Sequence, residues 1–210
     1  MSLIYFEDKL GKLGYSNISR LDPASNEIYK ATMGDNISVV LRLGMKNRFT
    51  HGTDPWTLAT SQVITEKMVS DKVEHDALAR VLAYHEIPIE SSDLFGAVHQ
   101  VSEDNLLKLI ARQYIPGRSL KRGELITDQI NQDRLSSLVN LFHKNGIARI
   151  DLDHAENIIL GNDGLVYVGD VGHCIFEDSR FIRSEYFKEM KDKDQEDLKY
   201  RFGEKDIKKN

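Results

Sequence analysis

The chain has 210 residues, of which 40% are hydrophobic, and this is enough apolar material for one compact domain or two small lobes. Its formal net charge of −5 at pH 7 gives no basic field that would attract nucleic acid or anionic lipid, so neither nucleic acid nor a membrane is an expected partner. A single cysteine, Cys174, excludes an internal disulfide and suits a reducing compartment.

The N-terminal residues show no basic region followed by an apolar one, and no run of about 18 apolar residues occurs in the chain. Neither a repeat nor a low-complexity segment is present. We therefore expect a soluble protein without a cleaved signal peptide, which is either cytoplasmic or secreted by a route that needs no hydrophobic signal.

The first half of the chain has the pattern of strands around one helix. Two β-rich runs on either side of Gly34-Asp35-Asn36 predict an antiparallel hairpin over residues 27–43. Apolar residues at helical spacing predict a helix over 70–88, and two further strands are expected at 94–101 and 105–115. Together these elements indicate a small sheet with one helix inserted.

The second half is expected to be mostly helical, with one small hairpin. A helix is predicted over 127–146, which Gly146 is placed to end, and strands at 157–160 and 165–170 predict the hairpin. The charged run 189–210 predicts a solvated helix. The apolar stripe of the helix over 127–146 comprises Leu135, Leu138, Val139 and Phe142.

Two oxygen-bearing side chains flank the predicted hairpin of the second half. Asn157 opens its first strand and Asp170 ends its second, so pairing of the strands would bring the two residues together. Mg²⁺ accepts carboxylate and carboxamide oxygens as ligands. Phosphoryl transfer needs such ligands, a carboxylate that orients a hydroxyl, and a cation on the phosphates. The sequence therefore predicts a site for a metal-bound nucleotide.

The residues 141–173 resemble the catalytic loop, metal-binding hairpin and Asp-x-Gly motif of the protein-kinase-like superfamily, which includes the choline and aminoglycoside kinases. They read LFHKNGIARIDLDHAENIIL and, after a turn, VYVGDVGH. The resemblance extends from about Asn26 to His173, and LKLIARQYIPGRSL within it is similar to the strand and hinge that hold adenine. It implies a bilobal α+β fold that binds ATP and Mg²⁺, with a small antiparallel-sheet N-lobe at 1–114 and a truncated helical C-lobe at 115–210.

Four residues match positions with known roles in that superfamily. Asp170 matches the metal-binding Asp of the Asp-x-Gly motif, and Asn157 matches the second metal ligand, for which Glu156 is a weaker candidate. Arg42 stands where protein kinases carry the phosphate-binding Lys, and an Arg there resembles the choline and aminoglycoside branch. Glu74, early in the first predicted helix, matches the Glu that pairs with this cation, although it could equally be an exposed acid of the first helical turn.

Three further residues are implied in nucleotide binding. Ser25 and Asn26 lie in SNEIYKA, which resembles the loop that covers the phosphates in choline kinases. Tyr114 lies near the implied hinge, where it could pack beside adenine or fill the core between the lobes.

The catalytic base has two candidates. The family places its catalytic Asp five residues before the metal-binding Asn, but Leu152 occupies that position here. Asp151 lies six residues before Asn157 and is followed by Leu, as in the family, whereas Asp153 lies four residues before it. We take Asp151 as the base that orients the acceptor hydroxyl, with Asp153 as its replacement or its electrostatic helper.

The C-terminal part of the chain indicates which branch of the superfamily it resembles. The 40 residues after Asp170 (171–210) contain no Ala-Pro-Glu signal and leave little room for the usual C-lobe helices. The chain therefore resembles most the HopBF family of minimal Ser/Thr kinases, bacterial effectors that type III secretion delivers into host cells. This resemblance implies a monomer that phosphorylates a host protein in the host cytoplasm, with the ninety-kilodalton heat-shock chaperone as the candidate substrate.

Two other functions remain compatible with the sequence. A small-molecule kinase of the choline or aminoglycoside type is favoured by Arg42 and by the SNEIYKA loop. A pseudokinase that binds a partner without turning over ATP would show the same resemblance in sequence.

Overall fold

The computed structural model describes residues 3–21, 28–44, 55–88 and 106–204, with the main chain alone for 3–6 and 55–61. The protein is α+β, with a five-stranded antiparallel sheet, two smaller antiparallel sheets and several helices. No helix within these ranges is both long enough and apolar enough to cross a membrane. The chain divides into two compact units, Met1–Lys67 with Val81–Tyr114 and Met68–Arg80 with Ile115–Asn210.

The first unit is built around the five-stranded sheet, from the elements α1 (Leu3–Lys12), β1 (Tyr15–Arg20), β2 (Ile28–Met33), β3 (Ile37–Leu43), α2 (Pro55–Lys72), β4 (Val81–Pro88) and β5 (Leu106–Gln113). The strand order is β1-β2-β3-β5-β4. Because side chains alternate along a strand, Val39 and Leu41 of β3 enter an apolar core with Leu10 of α1, while Arg42 points to the opposite face. The last residues of α2, from Met68 onward, are grouped with the second unit.

The hairpin predicted over 27–43 is confirmed from residue 28 onward. Strands β2 and β3 pair from Ile28 with Arg42 to Met33 with Ile37. The connecting turn needs positive φ, which Gly34 and Asn36 adopt at 52° and 92°. The strand predicted at 105–115 is confirmed as β5, whereas the strand predicted at 94–101 lies outside the described residues.

The helix predicted over 70–88 is wrong. Helix α2 ends at Lys72, and the strand β4 begins at Val81 and pairs with β5 along its length. β-Branched and aromatic residues suit this half-buried edge strand, and pairing with a distant strand outweighs the helical spacing of its apolar residues. The first members of that spacing are buried in the core of the second unit: Val73, Ala77 and Leu78.

The second unit is built from β6 (Gly117–Ser119), α3 (Gln129–Lys144), β7 (Ile147–Ala148), β8 (Ile158–Gly161), β9 (Val166–Val168), β10 (Ile175–Phe176) and α4 (Ser184–Arg201). The helix predicted over 127–146 is confirmed as α3. Asp128 caps its first turn by accepting a hydrogen bond from the Asn131 N–H, and Gly146 follows its end with φ 67°. All four residues of the predicted apolar stripe are buried.

The C-terminal charged run forms a helix, as predicted, but that helix is not simply solvated. It is α4, which begins at Ser184, before the predicted start at 189, and ends at Arg201. Three of its charged residues are buried together with its apolar ones: Asp194, Asp197 and Arg201.

Candidate functional site

The β8–β9 hairpin brings Asn157 and Asp170 to adjacent strand ends. Ile158 pairs with Val168, and the Gly169 N–H donates a 2.8 Å hydrogen bond to the Asn157 carbonyl. Asn157 is therefore directly opposite Gly169, and Asp170 is the next residue along the chain. Strand pairing alone produces this neighbourhood, as the sequence predicted.

The carboxamide of Asn157 is oriented by Asp151. Its Nδ2 donates a 3.0 Å hydrogen bond to the Asp151 carbonyl and lies 3.4 Å from Asp151 Oδ2. Within the described residues, no hydrogen bond reaches its Oδ1. The side chain is therefore fixed through its nitrogen, and its oxygen is left as a ligand for a hard cation.

The carboxylate of Asp170 accepts a 2.9 Å hydrogen bond from the Gly172 N–H through Oδ1, which closes a tight turn after β9. A carboxylate and a carboxamide at neighbouring positions form a donor set that suits Mg²⁺, because this ion prefers oxygen ligands and keeps several waters. The residues present therefore fit the metal that the sequence resemblance implies.

The loop that carries Asp151 has an unusual main chain. Asp151 and Arg149 adopt φ values of 68° and 63°, in the left-handed region that residues other than glycine rarely enter. Such conformations persist only where surrounding contacts impose them, and they concentrate at functional sites. The loop therefore needs external support.

Helix α4 provides this support through two buried charged residues. The Asp194 carboxylate accepts hydrogen bonds from the Arg149 and Ile150 N–H groups at 2.9 and 2.8 Å. Arg201 donates from Nε to the Leu152 carbonyl at 2.7 Å and from Nη2 to the Asp153 carbonyl at 2.6 Å. One helix thus holds the main chain on both sides of Asp151.

These contacts were missed because the C-terminal run was interpreted as a solvated helix. The signal was nevertheless present in the spacing of its apolar residues. Phe187, Met190 and Leu198 recur at helical intervals, and Asp194 and Arg201 fall on the same helical face. A charged residue within an apolar stripe indicates a buried ionic contact.

The side chain of Asp153 differs from that of Asp151 in its partners. Lys193 Nζ lies 3.1 Å from Asp153 Oδ2 and also bonds both oxygens of Asp197. Burial raises the pKa of Asp153, but the hydrogen bond and the charge of Lys193 outweigh burial and leave that pKa below its usual value. Burial likewise raises the pKa of Asp197, and there Lys193 only partly offsets it.

His154 lies between the two candidate bases. Its Nδ1 is 3.1 Å from Asp151 Oδ1 and 3.2 Å from Asp153 Oδ1. The charge of Asp151, with the hydrogen bond that Asp151 accepts, raises the pKa of His154. Possible ligand atoms of the three residues lie within 4.8 Å of one another, but exposed acidic clusters commonly occur without an ion.

The partner of Arg42 in the first unit is Glu66, and the predicted pairing with Glu74 is wrong. Arg42 Nη1 lies 2.5 Å from Glu66 Oε1, and Nη2 donates to Gln62 Oε1 at 2.5 Å. The side chain of Glu74 is 84% exposed and lies 3.7 Å from Arg80. The cause is the position of the helix: α2 ends at Lys72, so Glu66, not Glu74, lies on the helix that follows β3.

Glu66 is shared by a second arginine. Arg112 Nη1 of β5 lies 3.4 Å from Glu66 Oε2, and all three side chains are at least nine-tenths buried. Neither of those two atoms has a hydrogen-bond partner among the described residues. Among the described residues, the cluster therefore holds two guanidinium groups around one carboxylate.

The remaining nucleotide-binding candidates are Tyr114, Ser25 and Asn26. The Lys30 ammonium lies 4.0 Å from the centre of the Tyr114 ring and covers one of its faces. The Tyr114 N–H donates to the Ser38 carbonyl at 3.2 Å. Ser25 and Asn26 lie outside the described residues.

Comparison with models of known protein families gives no match for this chain, and comparison with curated proteins gives no matching relative. The residues themselves are therefore the basis on which a function can be argued.

Proposed function

We propose that the chain is an ATP- and Mg²⁺-dependent phosphotransferase with a bilobal protein-kinase-like fold, which transfers the γ-phosphoryl group to a Ser or Thr hydroxyl of a protein. The observation that carries the proposal is the contact of Asn157 with Asp151. It joins a candidate metal ligand to a candidate base, and strand pairing supports a position of Asp170 near Asn157. This combination of groups is what phosphoryl transfer requires.

Asn157 and Asp170 are the residues that would hold Mg²⁺, through a carboxamide and a carboxylate oxygen. The ion, when bound, supplies positive charge that neutralises the phosphate oxygens. Asp151 engages the Asn157 Nδ2 and so leaves the Asn157 oxygen available as a ligand. The Asp170 carboxylate is held by the Gly172 N–H.

Asp151 acts as the base in this proposal. It accepts the proton of the acceptor hydroxyl while that oxygen bonds to the γ-phosphorus, and the bond from the γ-phosphorus to the bridging oxygen breaks to release ADP. Asp153 is the weaker candidate because its carboxylate is bonded to Lys193. His154 contacts both carboxylates and would stabilise their charge.

Arg42 is the cation that would bind phosphate, with Glu66 in the positioning role first given to Glu74. A buried carboxylate 2.5 Å from the guanidinium fixes its orientation. The order along the chain also supports a kinase-like protein. The superfamily has a cation on a strand, then a carboxylate on the following helix, then the catalytic loop and finally the metal-binding Asp. The same order occurs here with Arg42, Glu66, the loop of Asp151 and Asn157, and Asp170.

The acceptor class follows from the resemblance to the HopBF family of effector kinases. The candidate substrate is the ninety-kilodalton heat-shock chaperone of a host cell, and the place of action is the host cytoplasm. The small-molecule kinase of the choline or aminoglycoside type is favoured by Arg42 at the cation position and by the SNEIYKA loop.

The proposal is tested with radiolabelled ATP and Mg²⁺, using host-cell lysate, the purified ninety-kilodalton chaperone, choline and an aminoglycoside as separate acceptors. We expect labelled protein bands with the wild type and none with Asp170→Asn. Asp192→Asn, at an exposed position of α4, is the matched control and should label as the wild type does. Label on choline or the aminoglycoside alone would identify a small-molecule kinase. No label, with no thermal shift by Mg-ATP, would identify a pseudokinase.

A further inference from the structure

Arg201, in the last turn of α4, is a fully buried cation whose hydrogen bonds go to carbonyl oxygens. Only 1% of its surface is exposed. Besides the Leu152 and Asp153 carbonyls, its Nη1 lies 3.5 Å from the Glu124 carbonyl. Among the described residues, no carboxylate forms an ion pair with it. Burying a charge is costly, so packing alone does not account for a guanidinium here.

The two short bonds reach the peptide groups that follow Leu152 and Asp153, one and two residues after Asp151. The Leu152 carbonyl accepts at 2.7 Å and the Asp153 carbonyl at 2.6 Å. They therefore fix two consecutive peptide planes that begin one residue after Asp151, whose φ is 68°. The direction of the Asp151 carboxylate depends on that main-chain conformation, since the left-handed region turns Cβ away from its usual direction.

We infer that Arg201 is a positioning residue for the base Asp151. Its hydrogen bonds to the Leu152 and Asp153 carbonyls hold the loop in the conformation in which Asp151 is left-handed, and this conformation orients the Asp151 carboxylate. This inference rests on the proposed function for its effect on the rate. Its structural part, a loop held by the end of α4, can be tested independently.

A lysine cannot replace this arginine. The guanidinium is planar and offers several N–H donors in a fixed geometry, so it can bind two carbonyls at once. The lysine ammonium keeps the charge but is a compact point on a flexible stem. Arg201→Lys therefore removes the bidentate geometry and retains the buried charge.

The first experiment compares wild type, Arg201→Lys and Arg201→Gln in transfer from Mg-ATP to the purified ninety-kilodalton chaperone and to dephosphorylated casein. We expect Arg201→Lys to lower kcat by about 10- to 100-fold, as a small misplacement of a catalytic group does, while KM for ATP stays within about twofold. Arg201→Gln should lower kcat further. Arg183→Lys is the matched control, because Arg183 is exposed just before α4 and its side chain makes no capping hydrogen bond, and it should leave both constants unchanged.

The second experiment measures amide hydrogen exchange and requires no catalytic activity. We expect exchange in residues 149–157 of Arg201→Lys to accelerate at least about tenfold, with α3 unchanged. An equal acceleration in α3 and in the loop, with kcat per folded molecule unchanged, would show a merely structural role and overturn the inference. If the wild type transfers no phosphate, the proposed function fails, and an unchanged loop exchange in Arg201→Lys would separately overturn the positioning role.

A third measurement uses only the wild type, so it tests the inference even if the variants of Arg201 fail to fold. In native-state exchange of the wild type under mild denaturant, the His154 N–H, which donates to the Asp151 carbonyl within the turn that Arg201 contacts, and the amides of the last turn of α4 should exchange with rates within about threefold of each other, because Arg201 joins the two segments. A loop that opens well before the end of α4 would contradict the inference without any substitution.

Discussion

The two units of the chain both bury charged side chains, and one set of these contacts in each unit differs in the groups that it joins. In the first unit, Arg42, Gln62, Glu66 and Arg112 bind one another, side chain to side chain. In the second unit, Asp194 and Arg201 bind main-chain N–H and carbonyl groups of one loop. The first cluster orients a guanidinium, whereas the second imposes a backbone conformation.

This difference separates two ways of building a polar site. In the cluster around Glu66, two guanidinium groups share one buried carboxylate, so removing this carboxylate takes a counter-charge away from both and should mainly affect stability. The contacts of α4 act through the loop, so changing them should mainly affect the geometry of Asp151. Substitutions in each unit can break or sharpen this comparison.

The largest effect is expected at the candidate bases in the second unit. Asp151→Asn keeps the shape of the side chain but removes the proton acceptor, and we expect kcat to fall by about 10²- to 10⁴-fold. Asp153→Asn should lower kcat by less than about tenfold, because the Asp153 carboxylate is already bonded to Lys193. Initial rates with labelled ATP distinguish the two, with thermal unfolding as the control for folding. The reverse ranking would transfer the role of base to Asp153.

The second effect is a loss of stability in the first unit. Glu66→Gln removes the buried counter-charge that Arg42 and Arg112 share, and we expect the free energy of unfolding to fall by about 3–5 kcal/mol. Glu74→Gln is the matched control at an exposed position and should change it by less than about 0.5 kcal/mol. Urea unfolding measures both. Equal small effects would mean that the cluster around Glu66 is not a buried ionic network.

The site of the second unit was largely predictable from the sequence, because its parts are local. Asn157 and Asp170 sit at the ends of one hairpin, and hairpin pairing is encoded by the turn between the strands. The cap Asp128 and the C-terminal Gly146 of α3 follow from the same short-range rules. Local sequence patterns are sufficient to predict a contact when the two residues that form it lie within a few tens of residues of each other in the chain.

The partner of Arg42 was not predictable by the same means. Apolar residues around Ala77 have helical spacing in the sequence, although in the structure they lie beyond the end of α2 and pack in a core formed by distant residues. Helix α2 was missed because its polar face toward the sheet, with Gln62 and Glu66 buried, gives no clear apolar stripe. The contacts of Arg201 were missed for a different reason: the apolar spacing of α4 places Arg201 on the buried face, but the sequence does not show which main-chain groups it meets there.

A smaller effect is expected from pH, through His154 in the second unit. Its pKa is raised in the folded state by Asp151, so the stability it contributes is fully present below its unfolded pKa of about 6.5 and is lost as pH rises through the folded pKa. The urea midpoint of His154→Gln should therefore fall below that of the wild type at pH 5.5 and approach it at pH 8.5.

His75 provides a control of opposite sign for that measurement. Burial lowers its pKa, so it contributes stability above its unfolded pKa that is lost as pH falls through the folded pKa. His75→Gln should therefore differ from the wild type more at pH 8.5 than at pH 5.5. The same pH dependence for both variants would contradict the assignment of their charge environments.

The smallest effect concerns the backbone of the loop itself. Arg149 has φ 63° and an exposed side chain, and its N–H is bonded to Asp194. Glycine enters the left-handed region without the cost of about 1–2 kcal/mol that a Cβ brings, but it loses about 0.5–1 kcal/mol in entropy on folding. Arg149→Gly should therefore stabilise the protein by about 0.5–1 kcal/mol in urea unfolding, whereas Arg149→Ala, which keeps a Cβ, should not. If both substitutions behave alike, the left-handed conformation costs little, and the contacts of α4 would not be needed to impose it.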